Sequence, residues 1–173
     1  MRKGLLLILA LLLPAMIFTF LHFFGSNKFE VPIYHQTTIS DKPENCDINY
    51  ELPYSINETI ININGESVVF FSSTLDQDEV NSYWFQLHRI RNELKHQLPV
   101  IPVSTPDDSK WSDQLVVLDK YIYEREKRCV WLSENYRLVL LDGNKQIRGY
   151  YKDGSLKEVD RLIMEAKILF NEY

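Results

Sequence analysis

Cysteine is scarce in this chain, and the two present, Cys46 and Cys129, lie far apart. Neither sits in a C-x-x-C or C-x-x-x-C pair, so the usual sequence form of a dithiol redox site or a zinc knuckle is absent. Glycine is scarce as well. Six glycines are scattered singly, which excludes a Gly-rich phosphate loop. No G-x-S-x-G elbow surrounds Ser72, Ser73 or Thr74, so a nucleophilic serine of that kind has no support. The four histidines, His22, His35, His88 and His96, include no pair at i, i+4, the spacing that puts two imidazoles on one metal. Surface or half-buried histidine is the expectation for each. There is no basic stripe either. Beyond residue 27 the chain carries 17 basic and 24 acidic residues, a formal charge of −7. Nucleic-acid binding needs clustered Lys and Arg against phosphates, so it is not expected.

What is present begins with a long apolar run. Gly4 to Phe24 reads GLLLILALLLPAMIFTFLHFF and holds no charged residue. As a helix it would span about 31 Å, close to the hydrocarbon thickness of a bilayer. Pro14 lies mid-span, where a membrane helix tolerates a kink. The competing reading is a cleaved signal peptide, with a shorter apolar core and small residues at the cleavage site. Leu21 to Phe24 is bulky there, which favours an uncleaved anchor. Arg2 and Lys3 precede the span, so the positive-inside rule places the N-terminus in the cytoplasm. The expected protein is single-pass, with its C-terminal domain in the periplasm of a bacterial inner membrane. Lipid is then its first partner. His22 beside Phe23 and Phe24 reads as a snorkelling interfacial residue.

Three segments are expected: 1–25 as cytoplasmic tip and transmembrane anchor, 26–58 as a tether or irregular approach, and 59–173 as the folded domain. Pro32, Pro43 and Pro53 punctuate the middle one, with a short edge strand possible at Val31–Tyr34. Thr59–Asn64 and Ser67–Phe71 read as two strands around an Asn-Gly turn. The second is continuously apolar, as suits a strand buried on both faces. Asp76 to Gln97 has helical spacing through Val80, Trp84, Leu87, Ile90 and Leu94. Either Thr74 with Gln77 or Asp76 with Glu79 can supply its capping box. Leu98–Val103 reads as a strand, Ser104–Ser109 as a loop, and Trp111 to Arg125 as a helix. Arg137–Leu141 and Gln146–Tyr151 form a hairpin, and a last helix starts at Ser155 with Glu158 completing a second capping box. Strand–helix–strand followed by hairpin and helix is the thioredoxin-like layout. The fold class is therefore α/β, a thioredoxin-like mixed sheet flanked by helices, preceded by one N-terminal transmembrane helix.

Several segments resemble the Sco/SenC family, thioredoxin-fold proteins linked to copper delivery to cytochrome oxidase. Leu138–Asp142, Gln146–Tyr151 with Asp153-Gly154, and Glu158–Ile163 are similar to the family's L-V-D, I-R-G-Y-Y-D-G and E-V helix. Val103–Ser109 is similar to its S-V-D-P-x-x-D-T loop, and Phe70-Phe71 to the strand leading into its active loop. The departure matters more. Where the family carries C-P-x-x-C, an ungapped reading places Leu75 and Glu79, and no histidine lies between Cys129 and Arg137. The family's thiolates and imidazole are soft ligands suited to Cu(I); Leu75 cannot ligate and Glu79 is a hard oxygen donor. The resemblance implies the fold, the anchor and the topology. It implies no copper site, no cofactor and no thiol chemistry at that loop.

Cys46 and Cys129 would share an oxidising compartment. A disulfide between them would stabilise by about 4–5 kcal/mol in the entropy model; two separate thiols, Cys129 packed and Cys46 exposed, is the other reading. Asp76, Asp78 and Glu79 suit a helix N-terminus, and Asp107 and Asp108 suit a turn. The functional expectation is a non-enzymatic Sco/SenC-like protein with a degenerate active loop, docking or assisting assembly of a membrane respiratory complex. The alternatives are a thiol-disulfide oxidoreductase using Cys46 and Cys129 as a displaced pair, and a periplasmic binding module unrelated to respiration.

Overall fold

The computed structural model describes residues 2–24, 30–40, 42–94, 98–108 and 115–170, without the side chains of 2–11, 24, 77 and 108. The chain divides into two units, Met1–Glu30 and Val31–Tyr173.

The first unit holds helix α1, Arg2–Phe24, which runs through Pro14. Its described side chains, Leu12 to Phe23, are all exposed, Phe18 and Phe23 at more than 70%. Thr19 Oγ1 donates back to the Ala15 carbonyl at 2.7 Å, the i−4 bond that satisfies a threonine hydroxyl inside a helix. Among the described residues no helix is long and apolar enough to cross a membrane. The described side chains cover only the second half of α1.

The second unit is a five-stranded mixed sheet in the order β3-β2-β1-β4-β5. Central β1 (Ser67–Phe71) pairs parallel with β2 (Val100–Ser104) and antiparallel with β4 (Leu138–Leu141). β3 (Val116–Val117) extends the parallel side, and β5 (Ile147–Tyr151) closes the antiparallel side. Helix α2 (Gln77–Glu93) connects β1 to β2, and α4 (Leu156–Leu169) follows β5. These two modules are the expected thioredoxin-like layout.

Pleating divides β1 between two cores. Val68 and Phe70 point to one face with Leu138, Leu140 and Tyr151, under Val80, Tyr83, Leu87, Ile90 and Leu94 of α2 and Val159, Leu162 and Ala166 of α4. Val69 and Phe71 point to the other with Val139, Leu141 and Tyr150. Among the described residues no long helix covers that second face. It is filled by Ile48, Tyr54, Ile56, Ile61 and Ile63, by Tyr123 of α3 (Lys120–Arg125), by Val130 of the π-helical turn after it, Glu126–Val130, and by Trp131 just beyond. Burial on both sides is why β1 is an unbroken apolar run.

Several expectations are corrected here. The compact unit begins at Val31, not Thr59: the segment 26–58, expected as a tether or irregular approach, is irregular where described but buries Val31, Ile48, Tyr54 and Ile56 from residue 31 on. Its short apolar pieces, separated by prolines, have no period to betray them. Val31–Tyr34 is not a strand, although Tyr34 N–H donates to the Ile147 carbonyl at the β5 edge, at 2.9 Å. Thr59–Asn64 forms no strand either; Ile61 and Ile63 are buried as the alternation requires, but their backbone joins no ladder. The helix expected over Trp111–Arg125 is replaced by β3 and the short α3, with 109–114 outside the described residues. Pairing of Val116 with Val103 overrides the local pattern. At α2 the Asp76–Glu79 capping box is present. Trp84, expected in the core, is 38% exposed, while Tyr83 is buried in its place and stacks on Phe70 at 4.7 Å. At α4 Ser155 is the N-cap without a side-chain cap bond, and Glu158 accepts from the Lys152 N–H at 3.0 Å, so the expected capping box does not form.

Candidate functional site

In open α/β sheets, ligands bind outside the carboxyl ends of the parallel strands, which points to the loop leaving the central strand β1. Here that loop is residues 72–76, and its polar groups are satisfied by its own surroundings. Ser72 donates through backbone N–H and Oγ to the Val103 carbonyl, at 2.9 and 3.0 Å. Ser73 N–H donates to the Tyr123 hydroxyl at 3.3 Å, and Ser73 Oγ meets Thr105 Oγ1 at 3.3 Å. Arg137 Nη1 donates to the Ser73 carbonyl at 3.0 Å and the Phe71 carbonyl at 3.4 Å, closing the strand end. Burial, reinforced by the Arg137 charge, pulls the Lys127 amine below its usual range. Thr74 takes a left-handed backbone, φ 68°, which turns the chain into α2.

Leu75 is 4% exposed, inserted into the core beneath α2 and α4. Glu79 is exposed and occupied as a cap: its Oε2 accepts from Asp76 N–H at 3.1 Å while Asp76 Oδ1 accepts from Glu79 N–H at 2.8 Å. The two positions that would carry thiols in a Sco/SenC loop are thus a core residue and a helix cap. Behind the loop, Gly154 lets the Tyr83 ring approach; a Cβ there would stand 2.6 Å from it. Burial raises the Tyr83 hydroxyl above its ordinary range.

The cysteines come together elsewhere. Cys46 and Cys129 form a disulfide with Cα atoms 5.6 Å apart, joining the irregular segment to the π-helical turn. Three tyrosine hydroxyls hold consecutive carbonyls at the end of that turn. Tyr50 donates to Cys129 O at 2.9 Å, Tyr54 to Val130 O at 2.6 Å, and Tyr150 to Trp131 O at 3.1 Å. Burial drives the Tyr54 and Tyr150 hydroxyls far above the ordinary tyrosine range. Beside them Glu126 is wholly buried. Its carboxylate accepts from Thr59 Oγ1 at 2.5 Å and Trp131 Nε1 at 3.2 Å, with Arg125 Nη1 at 3.4 Å. A buried carboxylate persists only when so partnered. Next to the disulfide lies an open cleft of about 220 Å³, lined by Asp47, Glu124, Arg125, Arg128 and both cysteines among others.

The remaining sequence candidates stay dispersed. His35, at φ 55°, meets the Tyr150 hydroxyl through Nε2 at 3.0 Å. His88 stands edge-on to Trp84, ring centroids 4.6 Å apart, and His22 stands edge-on to Phe23 at 5.7 Å. Asp107 lies exposed in a 3-10 turn, and His96 lies outside the described residues. Among the described residues no three His, Cys, Asp or Glu side chains gather as metal ligands would. Glu126 and the tyrosine set were missed in the sequence. A lone acid among charged neighbours reads as a solvated face, and only the high tyrosine content hinted at the rest.

No family model matches the chain, and no curated protein matches it by sequence. Among solved structures, a SCO1/SenC family lipoprotein from Bacillus anthracis aligns at 13% identity and TM-score 0.44, over 62% of this chain and 82% of that one. A domain of a possible thiol-disulfide isomerase from Cytophaga hutchinsonii aligns at 13% identity and TM-score 0.38, over 66% of this chain and 84% of that one. At these values neither likeness carries a functional argument; the fold stands on its own topology.

Proposed function

We propose that this chain is a membrane-anchored Sco/SenC-like protein that acts by docking, as a non-catalytic assembly factor for a membrane respiratory complex. The observation that carries the proposal is Leu75, buried where the resembled family needs a thiol, with Glu79 held as a cap at the second position. Core packing at the first and capping at the second leave the loop without a soft donor. The respiratory partner comes from the sequence resemblance alone. The anchor is the run Gly4–Phe24, free of charge and inside the helix Arg2–Phe24. Arg2 and Lys3 set the N-terminus in the cytoplasm and the domain across the membrane, in the bacterial periplasm.

A pull-down of the full-length chain from detergent-solubilised membranes tests the partner. Recovery of oxidase or cytochrome subunits is the expected result. Recovery of other envelope proteins without them replaces the proposal with a recognition module unrelated to respiration. Titration with Cu(I) is expected to give no tight stoichiometric uptake; tight uptake would overturn the degenerate-loop reading. Protease added to sealed spheroplasts should digest residues 31–173 and spare the N-terminal helix.

A further inference from the structure

The second site is chemically independent of the loop after β1. We infer that the Cys46–Cys129 disulfide is an exchange site for a dithiol partner, reduced and re-formed without unfolding the domain.

Access is asymmetric. Cys129 is 8% exposed, whereas Cys46 is only part-buried and follows the exposed Asn45 in a turn. Both line the same cleft of about 220 Å³, so a partner thiolate reaches Cys46 first. Arg125 and Arg128 line it as well, next to Asp47 and Glu124. Cationic neighbours favour an arriving thiolate and a departing one. The exchange balances with the partner as reductant. Its first thiolate attacks Cys46 Sγ, and the S–S bond breaks to release Cys129 as a thiolate, which takes a proton from water. The partner's second thiolate attacks the mixed disulfide and frees the Cys46 thiolate, which is protonated in turn. Two electrons pass to this chain, and the partner leaves as a disulfide.

The surroundings make the reduced state a folded one. Besides the disulfide, the π-helical turn is held by the Tyr50 and Tyr54 hydroxyls on its last two carbonyls and by Tyr150 on the carbonyl that follows. Ile48 and Ile56 keep the segment after Cys46 in the core. What loosens on reduction is the stretch around Cys46, tied otherwise by the Arg128 contact to the Glu44 carbonyl at 3.1 Å.

The test uses the full-length chain in detergent micelles, with dithiothreitol as the dithiol probe and quenching by a maleimide-polyethylene glycol. Under native conditions both thiols are expected to become labelled at least tenfold faster than the domain unfolds, with unchanged far-UV circular dichroism. Reoxidation by oxidised dithiothreitol should restore the unlabelled form. Arg128→Gln, which removes the charge but keeps a side-chain N–H donor for the Glu44 carbonyl, should slow reduction about threefold while leaving the thermal midpoint within a degree or two. Reduction seen only in denaturant, or accompanied by loss of the dichroism signal, marks a purely structural staple and overturns the inference.

Discussion

The two faces of the sheet are built on different principles. The α2–α4 face is regular: two amphipathic helices lay apolar stripes on Val68, Phe70, Leu138 and Leu140. Arg89–Asp160 and Lys167–Glu93 ion pairs fasten one helix to the other at the surface. The opposite face has an irregular chain from Val31 to Glu66 laid over Val69, Phe71, Val139 and Leu141. Irregular backbone has no ladder of its own, so it is tied down by side chains: tyrosine hydroxyls, the buried Glu126 and the disulfide. Local periodicity suffices for one face, and long-range polar contacts must specify the other.

The largest test of this contrast is alkaline pH. Tyr54 and Tyr150 on the irregular face, and Tyr151 on the helical face with Glu165 as its partner, are all held protonated well above the ordinary value of 10.0, chiefly by burial. In the unfolded chain they ionise near that value while the folded form keeps its protons. Stability is therefore fully present below pH 10 and falls as pH rises beyond it. Urea unfolding between pH 8 and 11 should show a steep decline, flattened more by Tyr54→Phe than by a change at exposed Tyr121. No decline would remove the idea that these hydroxyls stay buried and neutral.

Next in size is Trp131→Ala, which empties a fully buried site and takes a donor from Glu126 and Thr59. A loss of about 3–5 kcal/mol is expected. Ile90→Ala on the helical face should cost about 2–5 kcal/mol. The distinguishing readout is limited proteolysis, since only the Trp131 variant should expose cuts between residues 31 and 66. Equal cutting in both would collapse the distinction between faces.

The sequence spoke clearly only on the helical side. Val80, Leu87, Ile90 and Leu94 repeat at helical spacing, and Asp76 with Glu79 announces where α2 begins. The hairpin Leu138–Tyr151 carries its turn at Asp142-Gly143, where Asp142 Oδ1 accepts from the N–H groups of Asn144 and Gln146. Those signals are local. Trp111–Arg125 misled because Leu115, Leu118 and Ile122 mimic a helix, whereas the partner that makes Val116 a strand lies thirteen residues upstream at Val103. The irregular face was illegible for the same reason. Nothing near Tyr54 says that its hydroxyl will find a carbonyl 76 positions away. Of the candidate loop, the sequence shows directly that Leu75 and Glu79 are not thiols, but Cys46 and Cys129 gave two open readings until the fold brought them together.

A smaller effect separates the ties of the irregular face from one another. Tyr54→Phe leaves Val130 O without its 2.6 Å donor and should cost about 1–2 kcal/mol, with faster amide exchange around the π-helical turn. Asp76→Ala removes the α2 cap and should cost about 1 kcal/mol, with exchange quickened only in the first turn of that helix. Exchange that spread from either site to the opposite face would mean the two halves of the core melt as one.

The disulfide has a mechanical consequence as well. A pull on a folded chain is carried by its backbone, and the Cys46–Cys129 bond is a covalent shortcut across a separation of 83 residues. The strands β1, β2 and β3 and the helices α2 and α3 lie inside that closed ring. End-to-end tension passes around them, and about 280 Å of contour length stays hidden while the bond is intact. Reduction would release that length, making the bond at Cys46 a setting for how far the chain can stretch under load.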